Sequence, residues 1–298
     1  MLVRKRRGVA LLITLSVIAS MLALVGVMFA YIETARKEAG TKASVLQANL
    51  LRDDLQRHFQ TLLGKKPDKD SYRQLYGTAA TLGEREGTFR LSLSCSPLLN
   101  RIRLSWLGWE GNEKNRRYYT VAKDLFDELC DRAEIREPHN LYRMIVDRLE
   151  GKRERYGIRT RLQGKKGIIS SKEFRGLLDE YRYQADDPNV YNIAWERYFT
   201  FVNPPGISPG IDGDFIQPEV LALLYGLEVE EVRQAYKPGD LGRTLEELGE
   251  EKRRYGWLFL KQPSGATECE MTFTFMERER KGHLNYIANR IEDFQLEN

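Results

Sequence analysis

From Val9 to Ile32 the chain carries no charged side chain. A run of about 24 residues, rising about 1.5 Å per residue as a helix, is long enough to cross the roughly 30 Å of bilayer hydrocarbon. Arg4, Lys5, Arg6 and Arg7 precede the run, whereas Glu33, Arg36, Lys37 and Glu38 after it nearly cancel. The positive-inside rule then places the N-terminus in the cytoplasm and everything beyond Ile32 across the membrane. A secretory signal would have an apolar region of about 7–15 residues with a small-residue cleavage site behind it. Here the run is longer, and the small residue at a cleavable position, Gly8, stands in front of it.

The remainder reads as a soluble chain. Of the 298 residues, 30% are charged, enough length for one large domain or two ordinary ones. The formal charge is +4, and four of the basic residues belong to the leader, so cutting after Gly8 leaves +4 − 4 = 0 from side chains. A nucleic-acid surface needs a concentrated basic excess. The segments Gly151–Lys166 and Arg278–Lys281 are small and mixed in sign, read as solvated faces, and no nucleic-acid partner is expected.

Beyond the membrane run the helical pattern continues. Ser44, Ala48, Leu51, Leu55, Phe59 and Leu62 recur at steps of three and four, one apolar stripe on a helix. Gly64-Lys65-Lys66-Pro67 then supplies a Gly and a Pro in the order that stops one. Strand patterns follow. Phe89, Leu91, Leu93 and Cys95 alternate with polar residues, as do Ile102, Leu104 and Trp106, with Ser96–Asn100 fitting a hairpin between them and Arg117–Val121 a third strand. From about Lys123 to Lys252 the period turns helical: Leu125, Phe126 and Leu129 form one face, and Leu141, Met144, Ile145 and Leu149 another. Ser170 or Ser171 can cap a third segment, and Pro218 opens a fourth that ends at Gly226. Strand character returns at Tyr255–Leu260 and in Met271, Phe273 and Phe275. The expected fold is α+β: a long N-terminal helix packed on an antiparallel sheet, with a large all-helical domain inserted between the strands. The segments are a leader 1–8, a membrane helix 9–32, its amphipathic continuation 33–64, sheet 65–122, helical insertion 123–252 and sheet 253–298.

Catalytic patterns are poor. The three histidines lack metal-ligand spacing, and neither a nucleophile elbow nor a phosphate-binding glycine loop is present. Three cysteines without C-x-x-C spacing make no disulfide scaffold; in an exported domain one bridge plus one buried thiol is an option. Cys95 and Cys269 fall on apolar-facing registers, so packing or a bridge is expected there rather than a reactive thiol, and a shared sheet would bring them close enough to join.

The basic leader ending in Gly8, followed directly by Val9-Ala10-Leu11-Leu12-Ile13-Thr14-Leu15, resembles the type IV pilin and type II secretion pseudopilin superfamily. That resemblance implies cleavage between Gly8 and Val9 by a prepilin peptidase on the cytoplasmic face, followed by methylation of the new N-terminus. Most members carry a Glu as the fifth mature residue, where this chain has Ile13. In the filaments that Glu pairs with the N-terminal ammonium of the subunit ahead, and a subunit at the tip has none ahead of it. The missing Glu and the helical insertion are both similar to the K-type minor pseudopilin of type II secretion. Locally, Asp147-Arg148-Leu149-Glu150 at the end of a short helix pair, Ser170–Leu178, and Phe215-Ile216-Gln217-Pro218-Glu219-Val220-Leu221-Ala222-Leu223-Leu224 resemble segments of that family.

The resemblance implies a structural protein, not an enzyme, anchored once in the bacterial inner membrane with its bulk in the periplasm. Its partners would be other minor pseudopilins, the major pseudopilin, the prepilin peptidase and the inner-membrane assembly platform. A minor pilin of a type IV pilus and a signal-anchored periplasmic enzyme are the alternatives. No cofactor is expected. Some members of the resembled family bind calcium in the helical domain, and Asp212 and Asp214 are the candidate ligands here. The EF-hand pattern fails after Asp214, however, and a solvated turn is the favoured reading.

Overall fold

The computed structural model describes residues 3–63, 69–77, 80–83, 89–151, 170–204, 206–251, 254–275, 278–287 and 290–296, with the backbone alone given at 3–14, 37–49, 77, 80, 82–83, 89, 275, 278, 293 and 295–296. The chain divides into two compact units, Met1–His58 and Phe59–Asn298.

The described residues of the first unit are all helical, because α1 runs unbroken over Val3–Leu63. Its segment Leu15–Arg36 is long and apolar enough to cross a membrane. Every large apolar side chain from Leu15 to Ile32 is exposed, including Leu22 at 68% and Phe29 at 69%. Water does not tolerate a surface of that kind on a monomer, and lipid or neighbouring helices do. The expected stop signal at Gly64–Pro67 lies outside the described residues.

The second unit has an antiparallel sheet and a helical part. After α2 (Lys69–Gly77) come β1 (Ala80–Gly83) and β2 (Phe89–Pro97), and near the C-terminus lie three further strands of the same sheet. The helical part is threaded between β2 and those strands. It holds β3 (Ile102–Arg103), a 3-10 helix at Leu104–Trp109, α3 (Arg116–Arg132), α4 (Pro138–Glu150), α5 (Ser171–Ala185), α6 (Trp195–Tyr198) and β4 (Phe199–Thr200), followed by α7 (Pro218–Tyr225), α8 (Val229–Ala235) and α9 (Leu241–Glu247). The returning strands are β5 (Thr267–Phe275), β6 (Arg278–Ile287) and β7 (Arg290–Leu296), and the order across the five-stranded sheet is β1-β2-β5-β6-β7.

Alternation decides which face of the sheet is covered. Leu91, Leu93 and Cys95 of β2, Cys269, Met271 and Phe273 of β5, Leu284 and Tyr286 of β6 and Ile291 of β7 are all buried. The last turns of α1 contribute Phe59 and Leu63 to that side, and the Phe59 ring stacks on Tyr286 with centroids 4.9 Å apart. The helical part has its own core, with Trp106, Phe126, Phe174, Tyr181, Trp195 and Phe199 fully enclosed. Its helices end where their residues dictate. Pro138 and Pro218 open α4 and α7 in the first turn, where no amide hydrogen is needed, and Gly151 (φ 68°) and Gly226 (φ 72°) close them in the left-handed region. The Ser170 hydroxyl caps α5 by accepting from the Glu173 amide at 3.2 Å.

Three expected strands fold otherwise. Of Ile102–Trp106 only Ile102–Arg103 is extended, and it pairs in parallel with β4 rather than forming a hairpin with β2. The following 3-10 turn buries Leu104, Trp106 and Leu107 together, so a period-two pattern was satisfied by a tighter winding onto the helical core. Arg117–Val121 forms the first turns of α3, because the stripe Ala122, Leu125, Phe126, Leu129 and Cys130 extends backward through it. Tyr255–Leu260 is a turn with a single bridge, Phe259 to Ile211; Trp257 meets the Tyr118 ring edge-on at 5.3 Å. All three stretches belong to the helical part. The chain therefore leaves the sheet after Pro97 and re-enters at Thr267, outside the expected limits at 123 and 252.

Candidate functional site

Gly8, Val9 and Ile13 lie in the early turns of α1, where the backbone is helical and nothing is described of the side chains.

Cys95 and Cys269 are register partners on β2 and β5 and are joined by a disulfide with a Cα–Cα distance of 4.0 Å. The bridge spans 174 residues of sequence and ties together the two strands between which the helical part is inserted. Cys130 is free and buried in α3, and burial pushes its thiol up to about 12, which keeps it protonated and unreactive.

Asp212 and Asp214 lie on one short turn, but they do different things. Asp212 is buried and accepts from the Ser264 amide at 2.8 Å and the Ser264 hydroxyl at 2.6 Å, while its own amide donates to the Leu99 carbonyl at 2.8 Å. Burial raises its carboxyl from 3.8 to about 6, against the pull of the Ser264 hydrogen bonds and of Arg103. Arg103 is itself 2% exposed, and burial lowers its guanidinium to about 10, against the charge of Asp212. Asp214 takes an ion pair from Lys69 of α2 at 2.5 Å. Gly213 between them has room for no side chain, since a Cβ there would stand 2.8 Å from the Phe259 ring.

These residues do not fit calcium. The ion asks for six to eight oxygen ligands, whereas here both oxygens of Asp212 face donors and Asp214 faces an ammonium. The buried polar atom beside the turn that lacks a partner is Nε of Arg103, a donor that a cation cannot satisfy. Asp187, elsewhere in the helical part, is likewise occupied, by the Arg136 and Asn189 amides and the Tyr181 hydroxyl. Among the described residues no group of three or more His, Cys, Asp or Glu could hold a metal ion.

The same turn sits in the joint between sheet and helical part, which sequence reasoning did not find. Arg101 ion-pairs with Glu268 of β5, and it donates to the Glu196 carbonyl and to Asn100 Oδ1, each at 2.8 Å. From α2, Arg73 donates to the Gly239 carbonyl at 2.7 Å, the Tyr76 hydroxyl bonds the Thr267 hydroxyl at 2.9 Å, and the Tyr76 ring meets Phe215 edge-on at 4.9 Å. The sheet and the helices are thus bonded at several points, and α2 touches both. A groove of about 870 Å³ opens between the polar face of β2, β5 and β6 and the start of α5, with Lys172, Arg175, Glu196, Glu268, Glu270 and His283 along it. Its charges already meet across it, Arg175 with Glu196 at 2.9 Å and Arg101 with Glu268.

No family model matches the chain, and no curated protein matches it. A solved structure does: a chain of the crystal structure of the GspK-GspI-GspJ complex from the enterotoxigenic Escherichia coli type 2 secretion system. The identity is 14% and the TM-score 0.54, with 88% of this chain and 99% of that chain covered. At that identity the likeness lies in the fold and not in the side chains. The fold of this chain is that of a GspK-like pseudopilin.

Proposed function

We propose that the chain is a minor pseudopilin that stands at the tip of a type II secretion pseudopilus and initiates or caps its assembly for protein export. The observation that carries the reading is the fold correspondence over 88% of this chain and 99% of the other, from a complex of three secretion proteins. In this reading the leader through Gly8 is removed by the prepilin peptidase and Val9 becomes a methylated N-terminus. The helix from Val9 stays in the inner membrane, and the bulk of the chain stands in the periplasm. The partners are counterparts of GspI and GspJ, the major pseudopilin and the inner-membrane assembly platform. The helical part, bonded to the sheet through Arg101 and, by way of α2, through Tyr76, covers the top. The role is structural and asks for no cofactor.

N-terminal sequencing of membrane-extracted protein tests the first step, with Val9 expected as the first residue. A cut at or beyond Ala30 would mean an ordinary secreted protein and would end the reading. Crosslinking in cells, with secretion and piliation followed in a deletion strain, tests the rest. Loss of secretion with intact pili, and crosslinks to other minor subunits, are expected.

A further inference from the structure

We propose that the Asp212–Asp214 turn is held by groups the chain carries itself, the Ser264 amide and hydroxyl on Asp212 and Lys69 of α2 on Asp214, and that this turn keeps its shape without bound calcium. The turn is the centre of the joint. Ile211 exchanges backbone hydrogen bonds with Leu258 and Leu260, Asp212 bonds Leu99 and Ser264, the Asp214 carbonyl accepts from Gly239, and Gln217 donates to Asn100. A loop that gathers this many segments around two carboxylates needs compensating donors or positive charge, and in proteins these are often supplied by a divalent ion. Here the Ser264 amide and hydroxyl take the two oxygens of Asp212 at 2.8 Å and 2.6 Å, and the Lys69 ammonium rests on Asp214. A divalent ion entering the turn would meet the Ser264 donors and the ammonium before it found a set of free oxygens. Lys69 reaches the turn from α2, which precedes the whole sheet, so the same ion pair ties the helical part to α2.

Thermal unfolding of the full chain in detergent tests the proposal, in a chelator and in millimolar calcium chloride, with calorimetric titration of calcium chloride alongside. The expected result is that the unaltered chain and an Asp212→Asn, Asp214→Asn variant respond to calcium alike, in midpoint and in heat. A second variant, Lys69→Glu, places a third negative charge at the turn. It should lower the midpoint by about 2–4 °C in either buffer, and adding Asp214→Lys should restore at least half of that. A midpoint rise or saturable heat with calcium that the unaltered chain shows and the Asp212→Asn, Asp214→Asn variant lacks, or a Lys69→Glu variant as stable as the parent, would each overturn the proposal.

Discussion

Cys95 and Cys269 stand opposite each other on neighbouring strands and are bonded, although 174 residues separate them along the chain. Everything between the two cysteines that is not β2 or β5 belongs to the helical part or its connections. The bridge therefore sits where the sheet would be expected to part first if the insertion pulled on it. It also cross-links a very long loop in the unfolded chain, where loop closure removes the most entropy.

Replacing both cysteines by serine should lower stability by about 2–5 kcal/mol. Thermal unfolding with and without reductant checks this: reductant should depress the parent midpoint and leave the double variant unmoved. Thiol counting under denaturing conditions gives an independent reading, with Cys130 alone expected to be free before reduction. Three free thiols in protein taken from an oxidising compartment would contradict the pairing.

Asp212 makes the stability of the joint respond to pH. Its folded carboxyl titrates near 6 and its ordinary value is 3.8, so between those values the folded chain holds a proton that the unfolded chain has released. Stability from this group therefore rises as pH falls through about 6 toward 3.8, the reverse of a salt-bridged carboxylate. Asp212→Asn removes the titration. Urea unfolding of parent and variant should show the parent gaining on the variant by about 3 kcal/mol between roughly pH 7 and pH 4. A difference that stays flat over that range would mean that Asp212 is not buried as described.

Phe59 is the residue of α1 whose ring lies on the sheet, 2% exposed and stacked on Tyr286. Phe59→Ala should cost about 3–5 kcal/mol, the range for deleting a buried aromatic side chain. Phe59→Leu keeps an apolar side chain in the same place and should cost clearly less. The comparison, read by thermal unfolding, separates the loss of packed apolar volume from a general weakness of the strand.

The parts of this fold that were legible in the sequence are those whose pattern is local. The uncharged run from Val9 and the stripe through Leu55 and Phe59 announced one long helix, and Leu91, Leu93 and Cys95 announced a half-buried strand, although its neighbour is Thr267–Phe275 and not the expected hairpin partner Ile102–Trp106. Trp106, Tyr118 and Trp257 misled, because β-forming aromatics were needed by the core of the helical part, where their rings meet one another at 4.9 Å and 5.3 Å. The strand β6 begins Arg-Glu-Arg-Lys, and its alternation is clear only from Gly282 onward. The joint could not be read at all. Lys69 finds Asp214 over 145 residues and Arg101 pairs with Glu268 on the far side of the insertion, and a lone charge gives no sign of a partner so distant.

Ile13 offers the sharpest test of the tip reading. In a filament, a Glu at the fifth mature position has an ammonium from the subunit ahead with which to pair. A first subunit has no neighbour ahead, so an apolar residue there avoids a buried charge. Ile13→Glu in a tip subunit would leave a carboxylate in hydrocarbon either unpaired or protonated, at a cost of about 2–3 kcal/mol on insertion scales. Filament initiation should then be impaired or at best unchanged, while the membrane anchor itself survives, since one acidic residue does not expel so long an apolar helix. Crosslinking to the other minor subunits and a secretion assay read the two effects separately. If Ile13→Glu instead spreads the protein along the filament shaft with assembly proceeding normally, the apolar residue does not mark a tip subunit. The fold would still be that of a pseudopilin, but its place in the filament would have to be sought elsewhere.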